Sequence, residues 1–257
     1  MNDHAANPVE AIGLAKSFGE TIAVAPIDFT VRPGEVVGLL GGNGAGKTTT
    51  MSMLLGLLRP SAGQARIFGL DASQRDVRAL SRINFSSPYV EMPGRLTVRE
   101  NLEVYARLYG VRRPAARIKT LAQDLALEPF LNRRTHTLSA GQKSRAALAK
   151  ALINAPDLLL LDEPTASLDP DTADWVRRYL ETYQAQTGAA ILLASHNMPE
   201  VERLCAEVLV MRDGHIVDRG APADLVARHG RRDLEEVFLD IARGGGSRAG
   251  KADGATP

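Results

Sequence analysis

The alternation of apolar and polar positions changes period several times along the chain, and each change predicts an element. Residues 9–14 and 22–31 read as short strands, the second interrupted by Pro26 and closed by the Arg32, Pro33, Gly34 corner. Residues 35–40 form a short apolar run that stops at a glycine-rich turn. Residues 47–58 then take helical spacing, with a stop expected near Arg59 and Pro60, where proline removes a donor and restricts its neighbour. From about residue 76 to residue 153 the period is mostly helical, clearest over 98–109 and 115–127, which predicts a helical insertion. Residues 157–161, apolar from Leu158 on, and 189–194 are apolar runs separated by a helix-like stretch at 175–183, the pattern of buried parallel strands joined by a crossover. Residues 208–211 and 215–217, linked through Asp213 and Gly214, read as a hairpin, and residues 234–241 as a closing helix. Residues 1–8 are expected to be flexible, and residues 243–257, rich in Gly, Ser, Ala and Lys, to be disordered.

Composition removes several classes of function. At 44% hydrophobic and 24% charged residues, the bulk of the chain is ordinary for a globular protein. With 31 basic and 30 acidic residues the net charge of +1 exerts no general pull on nucleic acid or anionic lipid, so nucleic acid is not an expected partner. Any polyanion must be gripped locally. One cysteine, Cys205, excludes an internal disulfide and suits a reducing compartment. The longest apolar runs fall far short of the ~20 residues a membrane-crossing helix needs. The opening MNDHAANP lacks the basic start and apolar stretch of a secretory signal, so the cytoplasm is the expected location.

One local grip is legible. Gly41, Gly42, Asn43, Gly44, Ala45, Gly46, Lys47 and Thr48 satisfy G-x-x-x-x-G-K-[ST] between a predicted strand and a predicted helix, the context in which that pattern cradles phosphates. Glycines let several backbone N–H groups converge on one phosphate, and the helix start adds partial positive charge. Lys47 supplies a full charge near the β- and γ-phosphates, and Thr48 a hydroxyl for Mg²⁺. The plain alternative is a glycine-rich turn with no ligand. Asp162 and Glu163 end the leucine run from Leu158, placing two carboxyl groups at the carboxyl edge of a buried strand, where α/β sheets bind ligands. Asp162 suits a Mg²⁺-holding role, and Glu163 the orientation or deprotonation of an attacking water. A strand that merely turns polar as it surfaces would look the same, but beside a phosphate loop that reading loses weight.

With these two motifs in place, Leu138, Ser139, Ala140, Gly141 and Gln142 resemble the LSGGQ signature of the ABC transporter ATP-binding subunits, with alanine in place of the first glycine of the pair. Ser139 and Gln142 also fit a capping box ahead of the helical run 143–153, and the two readings coexist. The resemblance extends over nearly the whole chain. Phe18 stands where the family places an aromatic that stacks on adenine; Ser167, Leu168 and Asp169 look like its D-loop; His196 resembles its switch histidine; and Thr49 completes the nucleotide-binding stretch. Read alone, Phe18 would be core, the D-loop a turn before Pro170, and His196 an ordinary loop residue. One departure stands out: counting back from the segment 97–102, the family's Mg²⁺-contacting glutamine falls near Ser87 or Pro88, and no glutamine is there. Either a Ser87 hydroxyl with water takes its place, or the coupling that the glutamine serves is altered.

The resemblance implies a P-loop NTPase with a RecA-like α/β core, an N-terminal antiparallel β subdomain and an α-helical signature subdomain inserted at about 86–153, the whole ATPase domain spanning 9–242. It implies ATP and Mg²⁺ as ligands, and two copies, or one copy with another ABC ATPase subunit, sandwiching two ATP. It also implies integral membrane permease subunits, placing the chain peripherally on the cytoplasmic face of the cell membrane. The loop 86–95 would receive a coupling segment of the permease. The short C-terminal segment resembles exporter subunits. The rivals are a ribosome- or DNA-associated ABC ATPase, which usually has two cassettes or a long coiled coil, and a regulatory scaffold that binds ATP without hydrolysing it, which would not need both Glu163 and His196.

Overall fold

The computed structural model of the chain describes residues 6–87, 90–166 and 168–242; the expectations placed on residues 1–5 and 243–257, on Pro88 and on Ser167 lie outside the described residues. The elements begin with β1 (Val9–Phe18), β2 (Thr21–Val31), β3 (Val36–Leu40) and α1 (Lys47–Leu54), then β4 (Ala62–Ile67), β5 (Leu70–Asp71), α2 (Val77–Leu80) and β6 (Ile83–Ser86). A helical unit follows, α3 (Val98–Leu108), α4 (Pro114–Asp124) and α5 (Ala140–Ala151). The chain then re-enters the core as β7 (Leu158–Asp162), α6 (Pro170–Thr187), β8 (Ala190–Ser195), α7 (Met198–Leu204), β9 (Glu207–Arg212), β10 (His215–Gly220), α8 (Pro222–His229) and α9 (Leu234–Ala242).

Strands β2-β1-β4-β5 form an antiparallel sheet, and β10-β9-β3-β8-β7-β6 a second sheet that is parallel except for β10. The continuous apolar runs are explained by burial on both faces. Leu158, Leu160, Leu192 and Ala194 join the core shared with the antiparallel sheet and α1, whereas Leu159, Leu161, Ile191 and Leu193 join the core shared with the helices. A two-residue period thus disappears from the hydropathy while persisting in the packing.

Three expectations are corrected. Pro26 does not interrupt β2, because β2 is an edge strand and its register with β1 slips between Leu14 and Lys16, opposite the proline, so no ladder bond is asked of the missing N–H. Helix α1 ends at Leu54 rather than near Pro60: Gly56 takes φ 65, its N–H donates to Met53 O at 3.1 Å, and Leu57 N–H donates to Ser52 O at 2.9 Å, a glycine-closed helix end. The stretch 76–153, read as a mostly helical insertion, begins instead with α2 and with β6, which belongs to the core sheet. With Asn84 and Ser86 among its four residues, β6 is too short and polar to register as a strand before its parallel partner β7 is known.

That polarity has a structural cause. As the sheet's edge strand, β6 turns the backbone groups of Ile83 and Phe85 away from β7, and side chains meet them there. Asn154 Nδ2 donates to Ile83 O (3.1 Å) and Ser81 O (3.0 Å), Lys150 Nζ to Phe85 O (2.8 Å), and Asn84 Oδ1 accepts from Phe85 N–H (2.8 Å). The helical unit is thereby clasped to the core sheet where the chain leaves it. Asn154→Ala, which takes this donor from the Ser81 and Ile83 carbonyls, is expected to lower stability by about 1–3 kcal/mol, read as a drop in denaturant midpoint at constant slope.

Candidate functional site

The carboxyl ends of β3, β7 and β8 converge. Between β3 and α1 the loop Gly41–Gly46 turns back on itself, and two glycines are required by contact: a Cβ on Gly41 would lie 2.6 Å from Met211 O, and one on Gly46, at φ 103, 2.8 Å from Ala23 O. Lys47 opens α1 and is 6% exposed. Its Nζ donates to Gly41 O at 2.6 Å and Gly42 O at 3.2 Å and lies 3.8 Å from Glu163 Oε1. Burial pulls the ammonium below the usual lysine range, against the raising influence of Glu163 and Asp162. Thr48 Oγ1 donates to Asp162 Oδ2 at 3.2 Å. Burial pushes the Asp162 carboxyl up, with the Thr48 hydrogen bond opposing it. Asn43 and Gly44 are exposed on the loop, Ala45 is buried, and Thr49 is half-buried in α1.

Glu163 adopts φ 52, a left-handed conformation rare for a side chain of its size and costing ~1–3 kcal/mol. Its N–H donates to Ala194 O at 2.8 Å, which holds the residue across the top of β8. His196, one residue beyond β8, places Nδ1 2.7 Å from Glu163 Oε1, and its backbone N–H reaches Oε2 at 3.4 Å. Lys47, Thr48, Asp162, Glu163 and His196 are therefore linked in one continuous polar cluster, largely buried at Lys47, Asp162 and Glu163. Among the described residues no group of three or more His, Cys, Asp or Glu is arranged to hold a metal ion. Thr48 and Asp162 still fit Mg²⁺, because they offer two hard oxygen donors side by side, one a carboxylate whose charge is poorly solvated, and this ion usually takes its remaining ligands from phosphate and water.

The signature residues lie elsewhere. Ser139 caps α5: its Oγ accepts from Gln142 N–H at 3.3 Å while Gln142 Oε1 accepts from Ser139 N–H at 3.1 Å. Ser139 and Ala140 are exposed, Leu138 is buried, and Gly141 faces Thr172 of α6. Among the described residues no hydrogen bond or ion pair joins residues 138–142 to residues 41–49. Asp169 caps α6, accepting from Thr172 N–H at 2.9 Å, and half-buried Leu168 packs on the helical core. Phe18 is 53% exposed at the end of β1, with Lys16 Nζ 5.0 Å from its ring centre; the β2 residue Ala23, nearby in the hairpin, abuts Gly46. Ser87 is buried and shares with Glu163 the lining of a cavity of about 260 Å³ between the helical unit and the core. Sequence reasoning passed over Glu200, Thr165 and Lys150, all buried polar residues near these segments. Only the Asn197-x-x-Glu200 spacing carried a signal, that of an ordinary helix cap.

The chain is similar to proteins already known. The family model described as "ABC transporter" matches residues 24–166. The chain is 40% identical over 232 residues to Nod factor export ATP-binding protein I of Paraburkholderia xenovorans, covering 90% of this chain and 76% of that protein. It is 36% identical over 226 residues to the ABC transporter ATP-binding protein NatA of Bacillus subtilis, covering 86% and 92%. A solved ATP-binding subunit of an ABC transporter superposes with a TM-score of 0.82 at 25% identity, covering 91% of this chain and 99% of that one.

Proposed function

Because the chain belongs to the ABC transporter family of ATP-binding subunits, and so binds and hydrolyses ATP, we propose that it works as a dimer that powers export through separately encoded membrane permease subunits. The observation that carries the dimer is the separation of parts: the phosphate loop, Asp162, Glu163 and His196 form one cluster, and the capped α5 start stands apart from it. Ser139 Oγ uses a lone pair to cap its helix, leaving its O–H to donate outward beside the N-terminal dipole of α5. In a head-to-tail pair that group meets the γ-phosphate held by the other copy.

Phosphate-loop N–H groups and Lys47 bind the β- and γ-phosphates, and Phe18 offers its exposed ring to adenine. Thr48 and Asp162 would hold Mg²⁺, with Ser87 as a further contact, and the ion supplies charge neutralisation on the phosphates. Glu163, oriented by the His196 ring, takes the proton of the attacking water. Loss of the γ-phosphate removes the contacts across the interface, and the two copies part. Among the described residues no helix is long and apolar enough to cross a membrane. We place the chain on the cytoplasmic face, with the cavity beside the 86–95 loop receiving the permease's coupling segment. Its lining by Val90, Met92, Leu148 and Leu161 suits an apolar anchor. The export direction follows the Paraburkholderia relative. Tagged chain purified from solubilised membranes is expected to bring down a polytopic permease and to hydrolyse ATP in that complex; recovery only as a free soluble protein contradicts the assignment.

A further inference from the structure

Glu200 is a buried carboxyl group that the mechanism above does not use. It sits in the first turn of α7 at 0% exposure. Its Oε2 accepts from Ser195 Oγ at 2.7 Å, the Thr165 side chain approaches the same carboxyl and opposes its rise in pKa, and Oε1 is buried without a hydrogen-bond partner among the described residues. Ser195 Oγ accepts from Asn197 N–H at 3.0 Å, and Asn197 Oδ1 from Glu200 N–H at 3.3 Å. Burial pushes the carboxyl up, and a protonated carboxyl can accept through one oxygen and donate through the other.

This one group joins two segments. Ser195 and Asn197 flank His196, and Thr165 follows Glu163 by two residues. His196 and Glu163 meet at 2.7 Å although the His196 side chain is 60% exposed, so packing does little to hold the ring in place. Glu163 is in a left-handed backbone conformation that its surroundings must enforce. We propose that Glu200 is a positioning residue for hydrolysis: by holding Ser195, whose neighbour Ala194 accepts the Glu163 N–H, and by meeting Thr165, it pins the segment carrying His196 to the segment carrying Glu163, and so sets the distance between them. The inference rests on the reading of Glu163 and His196 as the hydrolytic pair. Glu200 does not touch nucleotide. Its loss misplaces the base without loosening the phosphate loop.

The test is steady-state ATP hydrolysis by the full chain carrying Glu200→Gln, Glu200→Leu, Thr165→Val or Ser195→Ala, with thermal melts for folding and Glu163→Gln run in parallel. Glu200→Leu is expected to lower kcat by about 10–100-fold with KM within about threefold, the signature of lost transition-state alignment. Glu200→Gln, whose amide both donates and accepts, should retain kcat within about threefold. Thr165→Val and Ser195→Ala should each lower kcat by about 3–10-fold at unchanged KM, and they give the answer if Glu200→Leu does not fold. The proposal is overturned by parental kcat in Glu200→Leu, by a Gln variant as slow as the Leu variant, by KM rising as kcat falls, or by parental kcat in both Thr165→Val and Ser195→Ala. Normal turnover in Glu163→Gln would sink the hydrolytic pair itself. A slow Glu163→Gln beside a fast Glu200→Leu sinks only the pin.

Discussion

Glu163→Gln is expected to cut steady-state ATP turnover by about 10²–10⁴-fold, the usual range for loss of a general base, while nucleotide affinity stays within a few-fold of the parent. The amide keeps the side-chain shape and can still meet His196 Nδ1, now held at 2.7 Å from the carboxylate, but it cannot take a proton from water. The carboxylate also lies 3.8 Å from Lys47 Nζ, so neutralising it frees that ammonium for phosphate. ATP should therefore bind and persist, and the prediction extends to a dimer that accumulates in the presence of ATP. A rapid single-turnover assay with size analysis of the ATP-bound species checks both parts. Normal turnover would remove Glu163 from the role of base.

Lys47→Met is expected to weaken ATP binding by about 10²–10⁴-fold, since hydrogen bonds to charged groups are worth about 1.5–3 kcal/mol each and this ammonium has several to give. The same change gives up the hydrogen bonds to Gly41 O and Gly42 O but also removes a buried charge, so the two effects oppose each other and the fold should hold. Burial lowers the Lys47 pKa, so the charged form is less favourable in the native chain than in the unfolded one. For a depressed lysine the sign is definite: the cost is fully present below the lowered native value and fades as pH rises from there toward the ordinary lysine value. Methionine keeps most of the stem and discards the desolvated charge. The melting temperature without nucleotide should hold or rise, while the shift that ATP produces in the parent should vanish. Equal ATP-induced shifts in the two proteins would contradict the role given to Lys47.

What could be read from the residues was whatever rested on contiguous pattern. The phosphate loop, the Asp162–Glu163 pair at the end of a buried strand, the Ser139/Gln142 capping box and the Asp213–Gly214 hairpin each need only a few neighbouring residues and a local conformation. Features decided by distant partners were not legible. β6 is a strand because β7 lies beside it, and its Asn84 is explained only once Lys150 of α5 and Asn154 in the turn after it are known to approach. Pro26 looks like a strand breaker until its strand is found at a sheet edge. The 2.7 Å contact between Glu163 and His196 spans 33 positions, and the left-handed backbone of Glu163 has no local sequence cue. Glu200 shows the same limit: its spacing from Asn197 suggests a solvent-facing cap, yet the fold buries it completely.

Neither copy is expected to own a whole nucleotide site, and a mixing experiment tests that most directly. Lys47→Met and Gly141→Asp chains, the second carrying a negative charge where the γ-phosphate of the other copy should arrive, are each expected to hydrolyse ATP negligibly alone. In a mixed dimer both lesions fall in one site, and the other keeps an intact phosphate loop from one copy and an intact signature from its partner. With random pairing, about a quarter of the parental rate should return on mixing equal amounts. If the mixture stays as inactive as its components although mixed dimers are shown to form, or if either variant alone retains full activity, the shared site is refuted.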